Sequence, residues 1–233
     1  MAARPFGKLR SSCACCVEAP ERRRFIVSGL ATAALAATPI ASRAQAPAQK
    51  ARRIDVHHHF SPPQWMAAVR GRDLLNPRNL SWTVESSIED MDKGDVAASI
   101  ITVTNPGLWF GDIEQTKKLS RDCNEYGAKL VQQHPTRFGL FCALPLPDVD
   151  ATLKEIAYAF DTLKCDGAHF MTSYGDTWIG DPKFEPVIAE LNRRKAVVHV
   201  HPTAANCCSN LIKGINAGVM EYGTDRSEEH TSE

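Results

Sequence analysis

Ile54-Asp55-Val56-His57-His58-His59-Phe60-Ser61-Pro62-Pro63 is the stretch on which the reading of this chain turns. Apolar Ile54 and Val56 open it, and Ser61-Pro62-Pro63 closes it, because proline cannot continue a strand ladder. In a strand, side chains alternate between two faces, so Asp55, His57 and His59 are expected to point one way and Ile54, Val56 and His58 the other. Two imidazoles on one face sit about 6.6 Å apart along the strand. From there they can converge on one ion at about 2.0–2.1 Å each. His58, on the opposite face, reads as a non-ligand.

The pattern returns near the other end of the chain. His199 and His201 share a face of an apolar run at residues 196–201, and Pro202 ends that run. In a closed α/β barrel the C-terminal strand ends form the mouth of the active site, so histidines from these two strands can meet across it. His199 reads as interior packing or as support for a ligand. His169, on a third apolar run, reads as a satisfied core histidine, and His134, before Pro135, as surface.

Between the two histidine strands, strand and helix patterns alternate. Strands are expected at 54–59, 96–104, 138–144, 167–172 and 196–201. Helices are expected at 64–70, 86–93, 112–134, 150–163 and 182–194, with Asp150 as an N-cap and Pro182 in a first turn. The run at 96–104 is almost continuously small or β-branched, the mark of a strand buried on both faces. Residues 71–80 and the stretch after 172 read as loops. Five alternations point to an α/β protein with a parallel sheet. No glycine-rich phosphate loop follows the first strand, so dinucleotide binding loses its main support.

Formal net charge is zero, which favours neither nucleic acid nor an acidic membrane surface, but the zero hides an asymmetry. Residues 1–46 carry seven Lys/Arg against two Asp/Glu, and 47–225 carry nineteen against twenty-two. Arg22-Arg23-Arg24 stands directly before an apolar stretch rich in Ala and Thr, and Ser42-Arg43-Ala44-Gln45-Ala46 supplies small residues for cleavage after Ala44 or Ala46. This is the layout of an export signal of the twin-arginine class. The apolar stretch falls short of the roughly 20 residues that span a bilayer, so no stable membrane anchor is expected. The expectation is a protein delivered by the twin-arginine machinery to the bacterial periplasm. Three of the eight cysteines lie in this leader. The others, Cys123, Cys142, Cys165, Cys207 and Cys208, match no zinc or disulfide framework and read as buried thiols.

The stretch 54–63 resembles the first-strand motif of the amidohydrolase superfamily, in the branch of aminocarboxymuconate-semialdehyde decarboxylase and related aromatic-acid decarboxylases. Met171-Thr172-Ser173-Tyr174-Gly175-Asp176, Gly180-Asp181-Pro182-Lys183-Phe184, and Leu191-Asn192-Arg193-Arg194 leading to Val200-His201-Pro202-Thr203 are similar to the same branch. The resemblance implies a TIM-type (β/α)8 barrel, of which this chain would hold about the first five β/α units over residues 47–225. It implies one divalent metal ion, zinc first and manganese as the alternative, held by His57, His59 and His201. The family's remaining active-site histidine and metal-binding aspartate have no counterpart here, so catalytic residues are expected in a C-terminal half beyond this sequence.

A barrel of this type takes about 250 residues, and after residues 1–46 only 187 of the 233 remain. Residues 226–233 match a translated sequencing adapter and are expected to be non-native. A half-barrel would leave its first and fifth strands as unpaired edges, so the fragment alone is expected to be inactive. For the parent protein the resemblance implies non-oxidative decarboxylation of an unsaturated or aromatic carboxylic acid. Two alternatives stay open: metal-dependent hydrolysis of a lactone, ester or amide, and an exported, non-catalytic binding protein. Homo-oligomerisation of the parent is also left open.

Overall fold

The computed structural model describes residues 53–72 and 77–203. The expected signal segment, Cys207 and Cys208, and the tail 226–233 lie outside the described residues. Among the described residues no helix is long and apolar enough to cross a membrane.

Five parallel strands form one sheet: β1 (Arg53–Phe60), β2 (Val96–Val103), β3 (Phe138–Ala143), β4 (Gly167–Met171) and β7 (Val197–His201), in the order β1-β2-β3-β4-β7. The segments between them carry helices, as parallel strands require: α1 (Pro63–Val69), α2 (Pro77–Leu80), α3 (Val84–Lys93), α4 (Ile113–Gln133), α5 (Val149–Tyr158) and α6 (Glu185–Arg194). A flat sheet of five strands at about 4.8 Å spacing would hold its edges roughly 19 Å apart. Here the ring of His57 on β1 lies 4.7 Å from that of His199 on β7, centroid to centroid. The sheet is therefore curled into part of a (β/α)8 barrel.

Burial follows the strand order. Every residue of β3 and β4 is buried. Ile54, Val56, Val197 and Val198 are 65, 55, 58 and 40% exposed, and among the described residues β1 and β7 each pair on one side. The run at 96–104 departs from expectation, since only its C-terminal half is well buried. Its first residues pair with the exposed start of β1 and share that exposure.

Several boundaries move for local reasons. Thr83, not Ser86, precedes α3, because Thr83 and Ser86 each accept the other's backbone N–H in a capping box. Asp148, not Asp150, caps α5, accepting the N–H of Ala151. The last turn of the expected helix 150–163 widens to a π-helical turn, Ala159–Leu163, ending at left-handed Lys164. Proline at 182 opens a 3₁₀ turn, Pro182–Phe184, and α6 starts one residue later. The short helix α2 and a two-stranded hairpin, β5 (Ser173–Tyr174) with β6 (Thr177–Trp178), occupy stretches expected to be loop. Cys123, Cys142 and Cys165 are free thiols, the first two fully buried.

One polar cluster fastens the helices to the C-terminal end of β3. Asn124 of α4 donates to the Ala143 carbonyl at 2.9 Å and accepts the Ala143 N–H at 2.8 Å. It also donates to the buried carboxylate of Glu155 on α5 at 2.8 Å. Arg121 completes that carboxylate with bonds of 3.0 and 2.7 Å while its guanidinium lies 3.6 Å over the Tyr158 ring. Asn124 thus satisfies both backbone groups of a buried strand residue and one face of a buried charge. Replacing it leaves the Ala143 N–H unpaired, at about 1–3 kcal/mol, while the Ala143 carbonyl keeps the Ser120 hydroxyl at 2.8 Å and Glu155 keeps Arg121. Asn124→Ala is expected to destabilise the protein by about 1–3 kcal/mol in urea unfolding. Arg121→Met should cost at least as much, because it leaves the buried Glu155 carboxylate with Asn124 alone and no compensating charge.

Candidate metal centre

The bend in β1 decides where its side chains go. Asp55 pairs with Ser99 and His58 with Ile101, so three steps on β1 match two on β2 and the strand carries a bulge. The extra residue breaks the alternation and corrects one expectation. Asp55 does not share the face of His57 and His59; its carboxylate meets His58 instead, 3.2 Å from Nδ1, and accepts the His57 N–H at 2.9 Å. His58 Nε2 lies 2.9 Å from Ser87 Oγ on α3. His58 is thereby held against the helix layer, the outward placement expected of it.

The other two imidazoles of β1 enter the interior and meet the histidines of β7. His57 Nε2 lies 3.0 Å from His59 Nε2, which lies 3.2 Å from His201 Nε2. Among the described residues His57, His59 and His201 form the group that could hold a metal, with all three donor atoms within 4.8 Å of one another. No carboxylate belongs to it. His201 Nδ1–H donates to the Pro202 carbonyl at 2.6 Å, which fixes the tautomer and leaves Nε2 with its lone pair facing the other two. Burial first, then the neighbouring His201 and His57, lowers the pKa of His59 to about 3, so its imidazole is neutral at physiological pH. Imidazole nitrogens gathered this closely suit a shared cation. Two nitrogens bound to one ion at about 2.0–2.1 Å and near-tetrahedral or right angles are about 2.9–3.4 Å apart, which is the spacing found for His57 with His59 and for His59 with His201.

Beneath these three lies a second layer. His169 of β4 pairs in register with His199 of β7, and their Nδ1 atoms are 2.9 Å apart with the rings stacked at 18°. His199 also stacks on Phe141 and sets its ring edge-on to His57. His199 is thus the packing element expected of it. His169 is buried, as expected, but not fully satisfied: its Nε2 has no hydrogen-bond partner among the described residues. Burial and the surrounding imidazoles hold His169 neutral. The contact between His169 and His199 escaped the sequence, because it depends on the register of β4 against β7, which no local pattern encodes. His134, at the end of α4, packs on Phe138 at the start of β3, the opposite end of the strands from this cluster.

A cavity of about 410 Å³ opens at the C-terminal ends of β2, β4 and β7; none of the described histidines lines it, but Met171, paired in register with His201, is one of its walls. Arg72, Trp109, Phe110, Met171, Tyr174 and Thr203 are among its walls, with the Arg72 guanidinium 4.4 Å over the Phe110 ring. Trp109, Phe110 and Tyr174 supply its aromatic surface, while Trp178 sits on the partly exposed hairpin.

The amidohydrolase family model matches residues 54–226. The chain belongs to the amidohydrolase family. Decarboxylase yanB of Aspergillus niger is 42% identical over 159 residues, covering 65% of this chain and 43% of that protein. The 6-methylsalicylic acid decarboxylase of Penicillium expansum is 39% identical over 157 residues, covering 65% and 48%. This amidohydrolase chain therefore spans about half the length of the curated relatives it matches. Among solved structures, 5-carboxyvanillate decarboxylase LigW from Sphingomonas paucimobilis superposes with a TM-score of 0.69 at 20% identity, covering 77% of this chain and 61% of that one. A mutant of the LigW2 enzyme from Novosphingobium aromaticivorans, with bound manganese, gives 0.63 at 17% identity, covering 75% and 60%. At those identities the likeness is one of fold.

The geometry separates ligand from neighbour within one tripeptide. His59→Ala is expected to weaken Zn²⁺ or Mn²⁺ binding at least about 100-fold, since one of three protein donors is lost. His58→Ala should leave metal stoichiometry at wild-type level and lower stability only by about 1 kcal/mol through its bonds to Asp55 and Ser87. Metal titration by calorimetry and elemental analysis of the two purified variants check the pair.

Proposed function

We propose that this chain forms the metal-holding part of a non-oxidative decarboxylase that acts on a small aromatic carboxylic acid. The observation that carries the reading is the convergence of His57, His59 and His201 nitrogens beside an aromatic-walled cavity, in a chain about 40% identical to decarboxylases. The P. expansum relative acts, by its name, on 6-methylsalicylic acid, and this acid is the first substrate to try.

His57, His59 and His201 would hold the ion. Imidazole donors favour zinc, and the manganese of the LigW2 structure makes manganese the competing ion. Bound there, a divalent metal supplies a Lewis acid that orients and polarises a substrate oxygen. The chain's own residues supply the surroundings. The Pro202 carbonyl keeps the His201 lone pair directed inward. Trp109, Phe110 and Tyr174 offer ring faces to an aromatic substrate and exclude water around it, and Arg72 offers a cation to an anionic one. Decarboxylation also needs a proton at the ring carbon that loses CO2, and the group that delivers it is proposed to lie outside the described residues. We further propose that residues 1–46 direct the protein through twin-arginine export to the periplasm.

Hydrolysis of a lactone, ester or amide uses a similar donor set, so the product decides. The full-length protein, loaded with Zn²⁺ or Mn²⁺ and given 6-methylsalicylate, is expected to release one CO2 per molecule of m-cresol formed. Stripping the metal with dipicolinate should reduce turnover by at least about 100-fold, consistent with loss of the Lewis acid, and adding either ion back should restore it. Ester or lactone cleavage by the loaded protein, with no CO2 from any aromatic acid, would sink the proposal.

A further inference from the structure

Met171 stands where the histidine cluster and the cavity meet. It pairs in register with His201, and opposed residues on adjacent parallel strands project from the same face, so its side chain lies in the interior beside the His201 imidazole. It is buried and also lines the cavity. From β4 it reaches across to the loop after β2. Its Cγ and Cε lie 3.0 and 3.1 Å from the place a Cβ on Gly107 would take.

That loop is pinned at the point of contact. Gly107 holds φ +74°, a left-handed conformation that favours glycine. Its carbonyl accepts the buried Trp65 indole N–H at 2.8 Å. The loop therefore cannot retreat without breaking a buried hydrogen bond, and it cannot carry a side chain that would take the place of Met171. A small void of about 10 Å³ also borders Met171, bounded in part by Val103, Gly107, Leu144 and His169. An unbranched thioether between a fixed loop and a strand is the adjustable part of an otherwise rigid wall.

We infer that Met171 is a specificity-determining residue: it sets how large a substituent an aromatic acid can carry on the side of its ring that faces the histidines. The inference rests on the decarboxylase reading above, and the same contacts give it a readout of its own. A ring held in the cavity meets Met171 before it meets the imidazoles, so the volume of this side chain trades directly against the volume of the ring substituent.

The test uses the metal-loaded full-length protein with salicylate, 6-methylsalicylate and 6-ethylsalicylate, measuring Kd by calorimetry and kcat/KM by CO2 release. One methylene in an apolar pocket is worth about 10- to 200-fold in discrimination. Met171→Ala is accordingly expected to raise the preference for 6-ethylsalicylate over salicylate by about tenfold or more. Met171→Phe should lower it by a similar factor, and Met171→Leu, nearly equal in volume, should hold it within about threefold. A fold defect would weaken all three acids together and leave the ratio where it was, so opposite shifts in Ala and Phe isolate the size effect. An unchanged ratio in both variants overturns the inference, as does a wild-type protein that binds none of the three acids. Opposite shifts in Kd without CO2 release would leave Met171 in its role and overturn the decarboxylase reading alone.

Discussion

Everything at this centre depends on bringing three imidazole nitrogens together from opposite edges of a five-stranded sheet. His57 and His59 sit on one edge strand and His201 on the other. Nε2 separations of 3.0 and 3.2 Å leave little slack when a flat sheet would hold those edges roughly 19 Å apart. The twist inherent in parallel strands starts the curl, and full burial of β3 and β4 makes the middle of the sheet the part that cannot give. With the His201 lone pair directed at the His59 nitrogen, the three form a donor set that a cation can share. Burial and neighbouring imidazoles disfavour a protonated His59, which lowers its pKa to about 3. A metal ion reverses that balance by supplying the charge to all three nitrogens at once.

Much of this was legible in the residues. Hydrophobic period and proline stops placed all five sheet strands and the helices between them, apart from short α2. The spacing of His57 with His59 and of His199 with His201 marked the two strands that meet, and the family resemblance singled out His57, His59 and His201, which the structure brings together. What was missed has physical causes. Strict alternation assumes an unbroken ladder, and the bulge in β1 moved Asp55 from the side of His57 and His59 to that of His58. The choice of Asp148 over Asp150 as cap turned on which carboxylate could reach back to an N–H three residues on, a matter of backbone angle rather than residue type. The pairing of His169 with His199 needed the register of two strands with a helix and a hairpin between them.

The second histidine layer shows how the centre is supported. Gly167 at the start of β4 lets two neighbours come close: a Cβ there would stand 2.5 Å from the Val197 carbonyl oxygen and 2.8 Å from the Phe141 ring. The space allows Phe141 to lie nearly parallel to the His199 ring, which in turn lies nearly parallel to His169. Three flat rings are thus layered across the rigid middle of the sheet and out to β7. A neutral imidazole is well suited to such a stack, because it packs like an aromatic ring while its Nδ1 keeps a hydrogen bond.

That stack matters most for His57. It is the exposed member of the three, on an edge strand whose neighbours Ile54 and Val56 are open to solvent. Its backbone gains one anchor, the Asp55 carboxylate, but the bulge makes β1 the least regular part of the ladder. Support for its ring comes instead from the interior, where His199 meets it edge-on at 4.7 Å and is itself backed by Phe141 and His169. Rigidity and aim therefore reside in different strands. The buried β3 and β4 provide a stacked platform, and the edge strands carry the donors over it. The bulge in β1 re-aims the side chains of that strand, and the platform limits what that irregularity costs in precision at the nitrogens.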